Sequence, residues 1–180
     1  PWLELDMNFK SYIDSEELNS VNPYYVPHRS DEYGNKGWSS CCLHGLGMDL
    51  TEVAGQYGYD DELNAPYDWT PLTRNAPLAT MFWKQFPAEK YSRIRFMKLE
   101  AQGQIEWHDD HPGHNLPEDL CDYLIPINVA ISNPALCYME LKLCGYSNET
   151  YKYSLDSKSF PIDKFIEDYK SVVCWQSSNN

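Results

Sequence analysis

The sequence predicts an all-β domain with minor helices, of the β-sandwich or jelly-roll kind. Two observations predict it. Short runs alternate apolar and polar residues, or are continuously apolar, and turn-forming residues separate them at intervals of about eight to twelve positions. Helical periodicity is confined to a single short stretch near the C-terminus.

Taken in order, Tyr24-Tyr25-Val26 and Trp38 to Leu43 flank a polar turn, Ser30 to Gly37, and predict a hairpin or strand pair. From Met48 to Thr80 the spacing of Gly55, Gly58, Pro66, Pro71 and Pro77 leaves room for no helix longer than about three turns, and loops are expected. Ile94 to Leu99 alternates apolar and basic residues, Gln104 to His108 alternates polar and apolar ones, and Leu124 to Ile131 is an apolar run with one Asn; these predict three strands. Thr150 to Leu155 predicts another. Pro161 to Tyr169 places Pro at a first helical position with apolar residues at i, i+3 and i+4, which predicts a short amphipathic helix. No repeat, low-complexity segment or Gly/Ser linker divides the 180 residues, so residues 1–180 are expected to form one domain with a core of its own.

Charge narrows the function. Fourteen Lys and Arg against 27 Asp and Glu leave a formal charge of −13, and no basic run appears. Neutralising duplex phosphates needs a surplus of cations on one face, so a nucleic-acid partner is not expected. No apolar stretch approaches the ~18 residues of a membrane span, and no membrane partner is expected. The chain opens Pro1-Trp2-Leu3-Glu4 without an initiator Met, as in a processed or excised chain. Its six Cys form no Cys-x-x-Cys pair, and neighbours Cys41 and Cys42 on a strand would point to opposite faces. Free thiols in a reducing cytoplasm are therefore expected rather than a secreted disulfide framework.

The chemistry concentrates in Gly103 to His114, where three His and two Asp fall within the seven residues from His108. On a strand, His108 and Asp110 are i and i+2, so an imidazole and a carboxylate project side by side while Trp107 and Asp109 turn away. Joined by a second His, such a pair would occupy one face of an octahedron and leave three positions open for a keto acid and dioxygen. Read alone, His-x-Asp is also what a solvated acidic turn contains.

The run Arg93 to Asp110, followed by Pro126-Ile127-Asn128-Val129-Ala130-Ile131-Ser132-Asn133-Pro134, resembles the aspartyl/asparaginyl β-hydroxylase-like branch of the 2-oxoglutarate and Fe(II)-dependent oxygenases. Upstream, Val26-Pro27-His28-Arg29, Gly37-Trp38-Ser39, Leu43-His44-Gly45 and Phe86-Pro87 resemble small members of the group, so the likeness runs over roughly residues 24–135. The resemblance implies a double-stranded β-helix, the cupin-like jelly roll. It implies Fe(II) and 2-oxoglutarate as cofactors, dioxygen as co-substrate, and a small-molecule or peptide substrate. His108 and Asp110 then become the first two iron ligands and catalytic residues, and Asn128 a polar neighbour of the 2-oxoglutarate carboxylate. An Asn satisfied by a nearby backbone group is the alternative for Asn128.

The sequence departs from that family after this point. Members supply a second iron-binding His further along the chain, then an Arg for the distal carboxylate of 2-oxoglutarate. Here the His are 28, 44, 108, 111 and 114, and no Arg follows Arg95. Residues 141–180 are thus expected to be divergent or truncated and to lack the closing strands. His111 or His114 could fold back onto an ion through a tight turn; His44 is a further candidate, with a core role as its alternative. Arg93 and Arg95 share one strand face, where an acidic ligand or solvent would meet them, and one is expected at the surface. Trp107 is expected to pack. Two functions from different classes follow: an oxygenase, or a jelly-roll binding module whose iron site is incomplete and inactive. A two-metal hydrolase would need a second ligand cluster, which the sequence does not offer.

Overall fold

The computed structural model describes residues 14–28, 36–60, 62, 64–86, 88, 90–109, 127, 129, 131–132, 138–143, 150–154 and 173–178. Its architecture is mostly sheet with minor helices. Helix α1, Ser15–Val21, begins behind Asp14, whose side chain accepts the Glu17 N–H at 2.8 Å and so satisfies one of the orphan donors of the first turn. Strands β1, Val26–Pro27, and β2, Lys36–Gly45, form the expected antiparallel pair.

The segment expected to be loops holds two 3₁₀ turns, Ala54–Tyr57 and Pro71–Arg74, and the two-residue strand β3, Asp68–Trp69. It also runs into a helix, α2, Pro77–Gln85. Its nine residues stay within the three turns the proline spacing allows, and Pro77 stands at the first helical position, where its missing N–H costs nothing and its fixed φ suits the helix.

The two strands expected between Ile94 and His108 are one strand, β4, Ile94–Asp109. Its pairing with β2 slips between Trp38↔Leu99 and Lys36↔Gln104, and Gln102 there has φ 61°, so the irregularity is absorbed within the strand rather than ending it. Three further strands follow: β5, Tyr138–Leu143, β6, Thr150–Ser154, as expected, and β7, Val173–Ser178. The described strands form one antiparallel sheet in the order β1-β2-β4-β7-β5-β6, with β3 paired to the end of β2.

Beyond Leu141 the chain supplies strands of the sheet, β7 lying between β4 and β5; that residues 141–180 diverge from the family pattern stands as an expectation. The strand expected over Leu124 to Ile131 lies largely outside the described residues, and Ile127, Val129 and Ile131 carry no strand. The helix expected over Pro161 to Tyr169 lies outside them altogether.

The core forms on one face of β2 and β4. Cys41 and Leu43 of β2 and Ile94 and Phe96 of β4 pack against Val21 of α1, Leu72 of the second 3₁₀ turn, and Ala76 and Ala79 at the start of α2. Alternation explains the choice: Cys41 pairs with Phe96, and both point to the helices, while Cys42 and its partner Arg95 point the other way. Among the described residues no helix is long and apolar enough to cross a membrane.

Candidate functional site

His108 lies one residue from the end of β4, opposite Trp175 of β7, just past a register shift that separates it from Ile105. Asp110, Asn128, His111 and His114 lie outside the described residues, as do the side chains of Trp107 and His108. Among the described residues, no group of three His, Cys, Asp or Glu side chains is placed to hold a metal ion.

The two remaining histidines can be tested against the missing ligand position. His44 pairs with Ile94 at the opposite end of β4. Counted along the paired neighbours, which takes out the register slips, Ile94 and His108 are about ten strand steps or ~35 Å apart, whereas an iron–imidazole bond is ~2.1 Å. His28 donates its backbone N–H to the Trp38 carbonyl at 3.0 Å, level with Leu99, and lies about five paired steps or ~17 Å along the sheet from His108, on the far side of β2. Neither fits the third ligand position. The proposal of His44 for that role is overturned by register alone.

Both histidines have other employment. His44 is buried; its Nδ1–H donates to the Ser92 carbonyl at 3.0 Å, and its ring meets Trp69 and Tyr91 edge to face at centroid distances of 5.1 and 5.9 Å. Burial pushes its pKa below the ordinary value, against the opposing pull of the Ser92 bond and of Asp68. It is a core histidine. His28 stacks on Trp38 at 3.6 Å with planes 9° apart, and its Nε2 lies 3.1 Å from the Glu52 carboxylate.

Arg93 and Arg95 share a face, as alternation requires, but neither is a surface cation. Both are half-buried, and both donate from Nη1 to one acceptor, the Thr51 carbonyl, at 3.1 and 2.9 Å. Arg93 also approaches Glu62 at 3.9 Å. The expectation of one surface Arg fails because the connection after β2 folds back over that face. Cys41 and Cys42 are free and buried, on opposite faces of β2 as the alternation predicts.

The sequence reasoning missed this polar cluster of His28, Glu52, Glu62, Arg93 and Arg95. Its one sequence signal was the composition of residues 46–67, which carry five acids and no Lys or Arg. A shallow depression of about 430 Å³ along α2, lined by Thr73, Pro77, Thr80, Met81, Lys84 and Gln85, brings together no acid, base or nucleophile pair suited to catalysis. Comparisons with models of known families, with curated proteins and with solved structures found no significant match.

Proposed function

We propose that the protein is a 2-oxoglutarate- and Fe(II)-dependent oxygenase on a jelly-roll frame, with His108 and Asp110 as iron ligands and Asn128 near the keto acid. The observation that carries the reading is the His-x-Asp spacing at the end of a strand that is paired within an antiparallel sheet, a place where two ligands one residue apart can share a rim. The antiparallel, mostly-sheet architecture with minor helices is consistent with the jelly-roll frame. When bound, the iron would supply the redox chemistry that couples decarboxylation of 2-oxoglutarate to hydroxylation of a substrate carbon. The third ligand falls to His111, His114 or a second chain, since His28 and His44 are too far along the sheet.

The test is anaerobic addition of Fe(II) and 2-oxoglutarate. A weak visible charge-transfer band that His108→Ala abolishes is the expected result. Absence of the band, together with no succinate formed from 2-oxoglutarate in air, would refute the proposal.

The distance of His28 and His44 from His108 also favours a second reading, a binding module that keeps the frame with an incomplete iron site. That module would take up no stoichiometric iron, because each missing protein ligand removes much of the affinity. Metal content after reconstitution separates the two: one Fe or Mn per chain for the oxygenase, none for the module.

A further inference from the structure

Residues 46–67 leave the end of β2 and return at β3, where Asp68 pairs with Gly45, so the two ends of a long connection lie side by side. Its first part, residues 46–60, runs as a strap along the sheet on the side of Cys42 and Arg95. The strap's ties to the sheet are polar. The Met48 carbonyl accepts the Cys42 N–H at 3.0 Å, the Leu50 carbonyl accepts the Cys42 thiol at 3.6 Å, and the Thr51 carbonyl accepts both Arg93 and Arg95. Glu52 meets His28.

Glu62 ties the strap to itself and to the sheet: it accepts the Ala54 N–H at 2.7 Å and the Tyr67 hydroxyl, and it faces Arg93. Apolar burial in the strap is partial: Thr51 and Ala54 are buried, Leu46, Met48, Leu50 and Tyr57 are half-buried, and Val53 and Tyr59 are largely exposed. Met48 alone of its side chains packs against the main core.

We propose that residues 46–60 are a lid, latched by Arg93, Arg95 and His28, that opens as a unit while the sheet and its helix-packed core stay folded. Segments with few buried apolar contacts open at a lower free energy than the core that carries them. Charged contacts of the latch include Glu52 against His28 and, just beyond the strap, Glu62 against Arg93, while Arg93 and Arg95 hold the strap through the Thr51 carbonyl. What opening uncovers is the sheet face at Cys42, whose backbone N–H and thiol both bond the strap. This inference is independent of the oxygenase reading.

Adjacent thiols supply the measurement. Cys42 lies under the lid and Cys41 lies in the core on the opposite face, so one reports lid opening and the other global unfolding. Burial pushes the Cys42 thiol up to about 11, only partly offset by Arg95 and Arg93, so the closed state is unreactive.

The full chain is labelled to low extent with N-ethylmaleimide at several low urea concentrations, and modification at each residue is read by tandem mass spectrometry. Cys42 is expected to label faster than Cys41 with little urea dependence. Arg95→Ala, which removes a hydrogen bond from a charged donor, is expected to raise the Cys42 rate roughly ten- to a hundredfold and leave the urea dependence of Cys41 labelling in place. Glu52→Gln, which leaves both Arg in position, and high salt are expected to raise it by a smaller factor. Equal labelling of Cys41 and Cys42, with the same urea dependence in the parent and in Glu52→Gln, would overturn the proposal.

Discussion

Helix α2 begins without a cap of its own. Its N-cap residue is Ala76, which makes no side-chain hydrogen bond, and the first N–H groups of the helix are met from elsewhere in the chain. Glu17 of α1, buried at 5% exposure, spreads its carboxylate over them: Oε1 accepts Leu78 N–H and Oε2 accepts Ala79 N–H at 3.3 Å. Truncation by Glu17→Ala strands two donors at a packed helix junction and removes a negative charge from the positive end of the α2 dipole. Loss of the cap and the donors it leaves unmet are one cost, ~1–3 kcal/mol, with the upper part expected for a carboxylate removed from a packed junction. Glu17→Gln keeps one acceptor oxygen and loses the charge, so its cost is nearer ~1 kcal/mol. Urea unfolding measures both as shifts in midpoint at unchanged slope. A Glu17→Ala protein within ~0.5 kcal/mol of the parent would show that the carboxylate does not hold α2, since surface substitutions commonly have effects that small.

Gly103 sits in β4 where a Cβ would lie 2.7 Å from the Glu100 carbonyl oxygen and 2.8 Å from that of Lys36, so Gly103→Ala is expected to cost ~2–4 kcal/mol in a urea or thermal melt, because backbone must move. The adjacent Gln102, at φ 61°, is the opposite case: Gln102→Gly relieves a left-handed conformation worth ~1 kcal/mol and is expected to leave stability unchanged or slightly raised. His44 sets an acid limb on stability. Its folded pKa lies below the ordinary 6.5, so the unfolded chain takes up the proton first. The stability is full above 6.5, falls as pH drops from there toward the folded pKa, and levels off below it. Urea midpoints measured from pH 8 to pH 5 should show that fall and show less of it in His44→Gln; an identical slope in the variant would assign the titration to another group.

Local patterns were legible and long-range partners were not. Alternation across Ile94 and Phe96 located β4 and its core face, and the same rule put Cys41 and Cys42 on opposite sides of β2. Proline spacing limited the length of α2 without locating it, because a breaker and a helix initiator are the same residue in different places. The Glu17 cap joins residues more than sixty positions apart, and no spacing rule reaches that far. Strand β7 ends Gln176-Ser177-Ser178, with none of the β-branched alternation that marks a strand, and it is placed by its neighbours in the sheet rather than by its own propensity. The His-x-Asp pair was legible as a spacing, and the exclusion of His44 came only when register put a length on β4.

That length also separates the two proposals. Arg95 lies thirteen residues before His108 on the same strand, about nine paired steps once the register slips are taken out, so the latch and the proposed iron ligands stand ~30 Å apart along it. Side chains that far apart with no shared partner contribute independently unless a two-state element links them. The irregularity at Gln102 and Gly103 is the one place between the two ends where β4 departs from regular pairing with β2 and where backbone is pressed against Gly103. A strand bends at such an irregularity, and a second register shift lies between Ile105 and His108, so β4 does not run between the two ends as one regular rod. Thiol labelling at Cys42 and iron uptake at His108 accordingly read different ends of the strand, and the failure of either proposal leaves the other standing.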